Sequence, residues 1–414
     1  MKMILIKYII NNIVRKKKQT IFCFSSIFVP SLIILTDYAI INGIEGGLKR
    51  GIDQVISGQL LIVSGKNNDI NILESQLNEQ ELFINDENNL KELETIFPAA
   101  LLNRRVRLGA LVSYGSETSY ANVHALEDNH LRRIGEMLSV GKGRMPEKGN
   151  EMIISKSLAQ NLLCGVGDTL LLLATNVNDY MSDALGVVSG IFEEKGLAVF
   201  LNYTAFIPYR FGQEIAEIPE GQAVELIVNH AAGKDFTREE IRSAGDYFKA
   251  SNPALTVATW RQTVPLMSAI VNVWKGGGVI TQIVFISFSL IILVTLTSLV
   301  VRSRRKETGT LLAIGFSWTR ISLLLCFEYL LITFISVTAS YLLLHILLAS
   351  LPPTGIEITS EYMQAALMAE KLQPVSAFTD FLYVAFLFGS TATLSALISI
   401  RKLKKMKIHS LITN

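Results

Sequence analysis

Any chemistry in this 414-residue chain would fall first to its five histidines, His124, His130, His230, His345 and His409, and its three cysteines, Cys23, Cys164 and Cys326. A zinc centre needs ligands paired at short, regular spacing, and these histidines and cysteines are scattered. His124, His130 and Asp128 come nearest to a cluster, and a solvated strand-to-helix turn accounts for them. No Gly-x-Ser-x-Gly elbow is present to activate a serine. Nucleotide hydrolysis would need a glycine-rich loop ending in Gly-Lys and then Ser or Thr, so that backbone amides cradle the phosphates. Gly65-Lys66 is followed by Asn67 and lacks the upstream glycine. The sequence therefore predicts no enzyme: no catalytic residue, no metal site and no cofactor site of its own.

Two acids stand in a different position, because Asp37 and Glu328 interrupt long apolar runs, where a charge is costly and usually has a task. Asp37 lies toward one end of its run, where water can reach it. Glu328 either pairs with Arg320 or nearby basic residues and transmits movement, or simply reaches out to the interface.

The runs that carry these acids span residues 21–44, 279–301, 321–348 and 381–400. Each has the roughly 20 residues that a helix needs to cross about 30 Å of hydrocarbon, and backbone amides in lipid must be satisfied within a helix. Basic residues crowd one side. Lys2, Lys7, Arg15, Lys16, Lys17 and Lys18 precede the first run; Arg302, Arg304, Arg305, Lys306 and Arg320 join the second to the third; Arg401, Lys402, Lys404, Lys405 and Lys407 follow the fourth. The single acid among them is Glu307, so the net charge of +2 conceals an acidic remainder. Positive flanks stay in the cytoplasm. The expected arrangement is a multi-pass protein of the cytoplasmic, or inner, membrane with both termini cytoplasmic. Its parts are a cytoplasmic amphipathic segment (1–20), helix 1 (21–44), an extracytoplasmic domain with stalk helices (45–270), helix 2 (271–301), a cytoplasmic segment (302–320), helix 3 (321–348), an extracytoplasmic loop (349–380), helix 4 (381–400) and a basic tail (401–414). Helix 1 is read as an uncleaved anchor, since no small-x-small cleavage site follows it. Cys23 and Cys326 fall in spans and leave Cys164 without a disulfide partner. Cations placed by topology, beside an acidic domain, argue against nucleic-acid binding.

The 45–270 segment reads as an α+β domain. Strand patterns cover residues 59–63, 106–112, 118–125, 152–155, 169–173, 186–192, 197–206 and 224–228, and helical spacing covers 88–97, 128–138, 156–163 and 237–249. Thr237 with Glu240 suggests a capping box. Residues 43–56 continue the period of helix 1 as a stalk. Thr259 with Gln262 suggests a second box, opening a helix that runs through Pro265 and Trp274 toward helix 2. Gly276, Gly277 and Gly278 interrupt that helix where it would enter the bilayer, either as a hinge or as a close helix contact.

Three strings of residues then bring a family into view. Gly143-Arg144, Glu151-Met-Ile-Ile-Ser155 with Leu158-Ala159, and Val166-Gly167-Asp168 resemble the periplasmic signature of the MacB and FtsX superfamily of ABC transporter permeases, above all its lipoprotein-releasing members. Arg305-Lys-Glu307-Thr-Gly309-Thr-Leu311-Leu-Ala313-Ile-Gly315 is similar to that family's cytoplasmic segment, and Glu328 matches an acid in its third helix. The chain departs from the family at Thr308, Leu312, Ser399-Ile400 and Ile408. Without the resemblance, 302–320 would read as a loop whose charge only sets topology. With it, Arg305, Glu307, Gly309, Leu311, Ala313 and Gly315 become a coupling helix docked in the groove of an ATPase.

The resemblance implies a permease subunit that binds no cofactor and works with two copies of an ABC ATPase subunit, which holds ATP and Mg. It also implies a second permease chain, identical or paralogous, within the lipid membrane. ATP-driven motion of the extracytoplasmic domains would extract a lipoprotein from the outer leaflet and release it to a periplasmic acceptor. Ile34, Tyr38, Ile41, Ile280 and Phe285 are the candidate substrate-facing positions. The same architecture serves efflux of hydrophobic drugs or peptides, and transmembrane signalling to a cell-wall hydrolase.

Overall fold

The computed structural model describes residues 17–53, 57–64, 83–84, 95, 100–147, 149–230, 236–251, 255–303, 308–310, 312, 314–360, 363–364, 367 and 369–404. They form two compact units. One is helical and takes in residues up to 44, 271–356 and 372 onward; the other is α+β and takes in 45–270 together with 357–371.

Among the described residues, four helices are long and apolar enough to cross a membrane. The first long helix, Lys17–Gly51, keeps its period beyond the apolar run, as the stalk reading expects. The second, Pro265–Ser303, opens on a proline, whose fixed φ and missing amide suit a first helical position. The third and fourth are Trp318–Ala349 and Phe378–Lys404. Ile27, Ile34, Leu35, Leu293, Val337, Val384 and Phe388 pack their common core.

The glycine triplet does not break the second helix, which runs through Gly276, Gly277 and Gly278 without interruption. A Cβ on Gly278 would lie 2.8 Å from Ile41 Cδ1 and 3.1 Å from Asp37 Oδ2, whereas Gly276 and Gly277 face open space. Gly278 therefore marks the close approach of two helices. The Thr259–Gln262 box is present, but it opens only one turn, Trp260–Thr263, and the long helix starts afresh at Pro265.

In the α+β unit the strands and helices are β1 (Leu60–Ser64), β2 (Phe83–Ile84), β3 (Ala100–Tyr114), β4 (Glu117–Leu126), α1 (Asp128–Met137), β5 (Ser139–Gly143), β6 (Glu151–Ser155), α2 (Lys156–Leu162), β7 (Thr169–Thr175), β8 (Met181–Glu193), β9 (Thr204–Pro208), α3 (Tyr209–Ala216), β10 (Gln222–Ala223), β11 (Glu225–His230), α4 (Arg238–Ser251) and β12 (Leu255–Thr259). The long β3 belongs to two arrangements at once. Its first half pairs with β11, which continues through β1 to β12 as a four-stranded wing. Its second half pairs with both β4 and β7, and β4–β9–β6–β8–β7 returns to it as a closed ring. Closure removes free strand edges. Val106, Leu108, Val123, Ile154, Leu170 and Val188 fill the ring, while Leu60, Leu226, Val228 and Leu255 form a smaller core under α4.

Several expectations need correction. Residues 197–206, read as one strand, form a 3-10 helix, Gly196–Leu201, and then β9. Positive φ at Gly196 (56°) and Tyr203 (51°) turns the chain at both ends of that helix. Strands β2, β5, β10 and β12 and helix α3 are additions to the expected elements. The expected helix at 88–97 lies outside the described residues, apart from Thr95. His124 and His130 are buried rather than solvated.

His124 lies near a buried cluster of charges. Where β3 passes from wing to ring, Arg105 and Arg107 meet one carboxylate, Glu225, which opens β11. Arg105 Nε donates to Glu225 Oε2 at 2.6 Å and Arg107 Nε donates to Oε1 at 2.9 Å, and both Arg105 and Glu225 are completely inaccessible. Burial alone would raise the Glu225 carboxyl, but the two guanidiniums outweigh it and hold the group down at about 2. His124 is pushed down to about 3 by burial and then by the charges of Arg105 and Arg107, so it is neutral at ordinary pH.

Candidate functional site: the coupling segment and the helix contacts above it

The segment between the second and third long helices is organised by its caps. Thr308 and Gly309 are helical and buried. Gly315 closes that helix at φ 95°, a left-handed conformation that suits glycine, and its amide returns to the Leu312 carbonyl at 3.0 Å. Ser317 then caps the third long helix by accepting from the Arg320 amide at 3.4 Å. Leu312, Phe316 and Trp318 pack against Ile321, Leu325 and Ile400 at the base of the third and fourth helices. Ile314 is left 72 % exposed.

This geometry redistributes the expected roles. Gly315 is a helix stop and Gly309 is covered, so among the described residues the exposed apolar side chain of this string is Ile314, which the family string contained but did not single out. Its signal was available, because Leu312 and Ile314 flank a helix end and only one of them can face inward. Arg305, Glu307, Leu311 and Ala313 lie outside the described residues. Glu328, nearly three turns along the third helix, is 5 % exposed and does not reach out to the interface.

Above the base, hydroxyl groups join the helices. Ser31 and Ser340 share a hydrogen bond of 2.8 Å, and Ser340 also meets the Phe28 carbonyl at 2.8 Å. Ser289 donates to the Ser26 carbonyl at 3.0 Å, while Thr297 pairs with Ser395 at 3.1 Å and Ser298 with Ser399 at 3.3 Å. Small residues let backbones approach and side-chain hydroxyls bridge them in an apolar setting. At the far end, the Asn42 amide donates to Asp380 Oδ2 at 2.8 Å, and the Val375 amide donates to the Ala39 carbonyl at 2.9 Å. A Cβ on Gly43 would sit 2.4 Å from the Gln373 carbonyl oxygen, so glycine permits this crossing.

The substrate-facing candidates separate. Ile34 and Ile41 are buried in the helical core, at 0 % and 6 % exposure, and offer nothing to a ligand. Tyr38 and Phe285 are partly buried against that core, with the Tyr38 ring edge-on to Tyr383. Ile280 is exposed. Asp37 is partly exposed beside Gly278.

In the α+β unit the signature strings prove structural. Gly143 has φ 75°, and a Cβ there would stand 2.2 Å from the Ser189 carbonyl oxygen. Arg144 holds Glu151 with two hydrogen bonds, of 2.9 and 2.7 Å, and Glu151 also accepts the Glu147 amide at 2.8 Å. Ser155 caps α2 through the Leu158 amide, Leu158 and Ala159 enter the ring core, and Asp168 accepts the Gly165 amide at 2.7 Å. These contacts fasten β5, β6 and β8 together. No group of three or more metal-ligating side chains is placed to hold an ion among the described residues.

Residues 279–408, which contain the coupling segment and the three helices around it, match the family described as FtsX-like permease C-terminal. Over those residues the chain is similar to an FtsX-like permease. Solved structures similar to this chain include the periplasmic region of MacB from Actinobacillus actinomycetemcomitans, at 12 % identity and TM-score 0.35, covering 50 % of this chain and 91 % of that one. The extracellular domain of the noncanonic ABC-type transporter YknZ from Gram-positive bacteria aligns at 13 % identity and TM-score 0.32, covering 48 % and 99 %. A domain of a putative permease protein from Porphyromonas gingivalis aligns at 14 % identity and TM-score 0.26, covering 40 % and 77 %. No curated protein matches the chain.

Proposed function

We propose that this FtsX-like permease is the membrane subunit of an ABC transporter that extracts lipoproteins from the outer leaflet of the cytoplasmic membrane and releases them to an acceptor. Two copies of a separate ATPase subunit bind ATP and Mg, and their closure pushes on the coupling segments of two permease chains. The observation that carries this reading is the exposed Ile314, held by the Gly315 and Ser317 caps beneath the family-matched helices. An apolar knob on a rigid base suits insertion into a partner's groove. The resemblance of the Gly143-Arg144 and Glu151–Ser155 strings to lipoprotein-releasing permeases supports the choice of cargo. Lifting acyl chains from a bilayer costs roughly 0.8 kcal/mol per CH2, so a triacylated cargo needs both ATP and an apolar receiver.

Reconstitution of the permease with its ATPase and a labelled triacylated lipoprotein in proteoliposomes tests the proposal. ATP-dependent release to an acceptor is the expected result, with Ile314→Asp abolishing stimulated hydrolysis while leaving the fold intact. Hydrolysis without release, accompanied by export of a hydrophobic toxin or activation of a bound hydrolase, would replace lipoprotein release with one of those activities.

A further inference from the structure

Between the third and fourth long helices the chain leaves the helical unit and returns to it, since residues 357–371 belong with the α+β unit. A short ribbon marks the crossing. It pairs β13 (Ile356–Glu357) with β14 (Lys371–Leu372), and the Ile358 amide donates to the Glu370 carbonyl at 2.9 Å. Gly355 enters it at φ 85°, where a Cβ would lie 2.8 Å from the Leu372 carbonyl oxygen.

Each side of the ribbon is fastened within its own unit. On the helical side, the Val375 amide donates to the Ala39 carbonyl at 2.9 Å, and the Gln373 carbonyl oxygen fills the space that a side chain on Gly43 would need. On the other side, a Cβ on Gly196 would lie 3.3 Å from both the Cγ and the backbone nitrogen of Glu370. Gly196 opens the 3-10 helix at φ 56°. Both ends of that helix are tied into the ring. Before it, Glu194 Oε1 accepts from the Ser157 amide at 3.1 Å. After it, the Tyr203 amide donates to Ser157 Oγ at 3.0 Å and the Tyr203 carbonyl accepts from the Asn122 amide at 2.9 Å.

Glu370 and Gln373 are three residues apart, and an extended chain covers at most about 3.6 Å per residue, so the two anchors can separate by no more than about 11 Å. We propose that the ribbon is a strap that makes residues 39–43 of the first long helix and the Gly196–Leu201 helix move together. Displacement of the long helices then reaches the ring through β9 as well as through the stalk, because the 3-10 helix leads directly into that strand. The strap is independent of the coupling segment and of the choice of cargo.

The full chain in lipid nanodiscs, without its native thiols and spin-labelled at Ser116→Cys and Ile346→Cys, tests the proposal by pulsed dipolar distance measurement. Ser116 is exposed in the α+β unit and Ile346 in the helical unit. Inserting Gly-Ser-Gly-Ser between Leu372 and Gln373 slackens the strap while keeping both anchors, and should broaden the distance distribution at least twofold. Gly196→Val, which strains a left-handed position and presses on Glu370, should broaden it as well. The same insertion after the exposed Gly149 should leave the width as it is in wild type. An unchanged width on lengthening the strap would overturn the proposal, and so would equal broadening from the Gly149 insertion.

Discussion

The two units of this protein treat buried polar groups in opposite ways. The α+β unit concentrates them, with Arg105, Arg107 and Glu225 joined where β3 leaves the wing for the ring. The helical unit disperses them into single hydroxyl contacts such as Ser31–Ser340 and Thr297–Ser395. A buried ion cluster is all or nothing, because removing one member strands the others without solvent. Dispersed hydroxyls are individually weak, since each can fall back on a carbonyl of its own helix, as Ser340 does with Ser336 at 3.0 Å. One unit is therefore built to keep a single shape, and the other has contacts that can be exchanged one at a time.

The sharpest way to break this contrast is Glu225→Ala, which leaves two buried guanidiniums uncompensated. It should cost about 3–5 kcal/mol, read as lost hydrogen-exchange protection over β3 and β11, with the helical unit unaffected. A loss below about 1 kcal/mol would mean that the cluster is solvated in solution.

Acid probes the same junction. His124 is held near 3, below its ordinary 6.5, so the unfolded chain binds a proton that the folded one refuses. Stability should fall by about 1.4 kcal/mol per pH unit as pH drops below 6.5. The decline should steepen below 4.5, where the unfolded Glu225 carboxyl takes up a proton that the folded one resists until about 2. His124→Phe should flatten the upper part of the profile.

Gly143→Ala is smaller but local. The φ of 75° alone should cost about 1–3 kcal/mol, and contact with the Ser189 carbonyl adds to it. Proteolysis near β5 would report the change. Smallest of all is Ser340→Ala in the helical unit, expected at about 0.6 kcal/mol in a detergent unfolding titration.

Much of this was legible in the sequence where a local rule applies. The Thr237 and Glu240 side chains form the expected box, with the Thr237 amide donating to Glu240 Oε2 at 2.6 Å. The four apolar runs and the continuation of helix 1 followed from length and period. What escaped depended on long-range closure. His130 shares a helix face with Leu131 and Ile134, a spacing visible in advance, but its burial followed only once α1 was laid on the sheet. His124 lies on β4, which is paired along both edges, with β3 and with β9, inside the ring. Ile34 and Ile41 could not be assigned to lipid or core from composition, since both environments select the same residues. Gly315 was named for coupling and is explained by its φ, a reminder that a family motif often records what the backbone needs.

The central claim is that the coupling segment meets a nucleotide-driven partner on one side of the membrane while the α+β unit works on the other. It is tested most directly by single cysteines at Ser116 and Ile314 in a background lacking the native thiols, treated with a membrane-impermeant maleimide in intact spheroplasts. The account predicts that Ser116→Cys is labelled at once and Ile314→Cys only after lysis. Labelling of Ile314→Cys in intact spheroplasts, with Ser116→Cys protected, would contradict it.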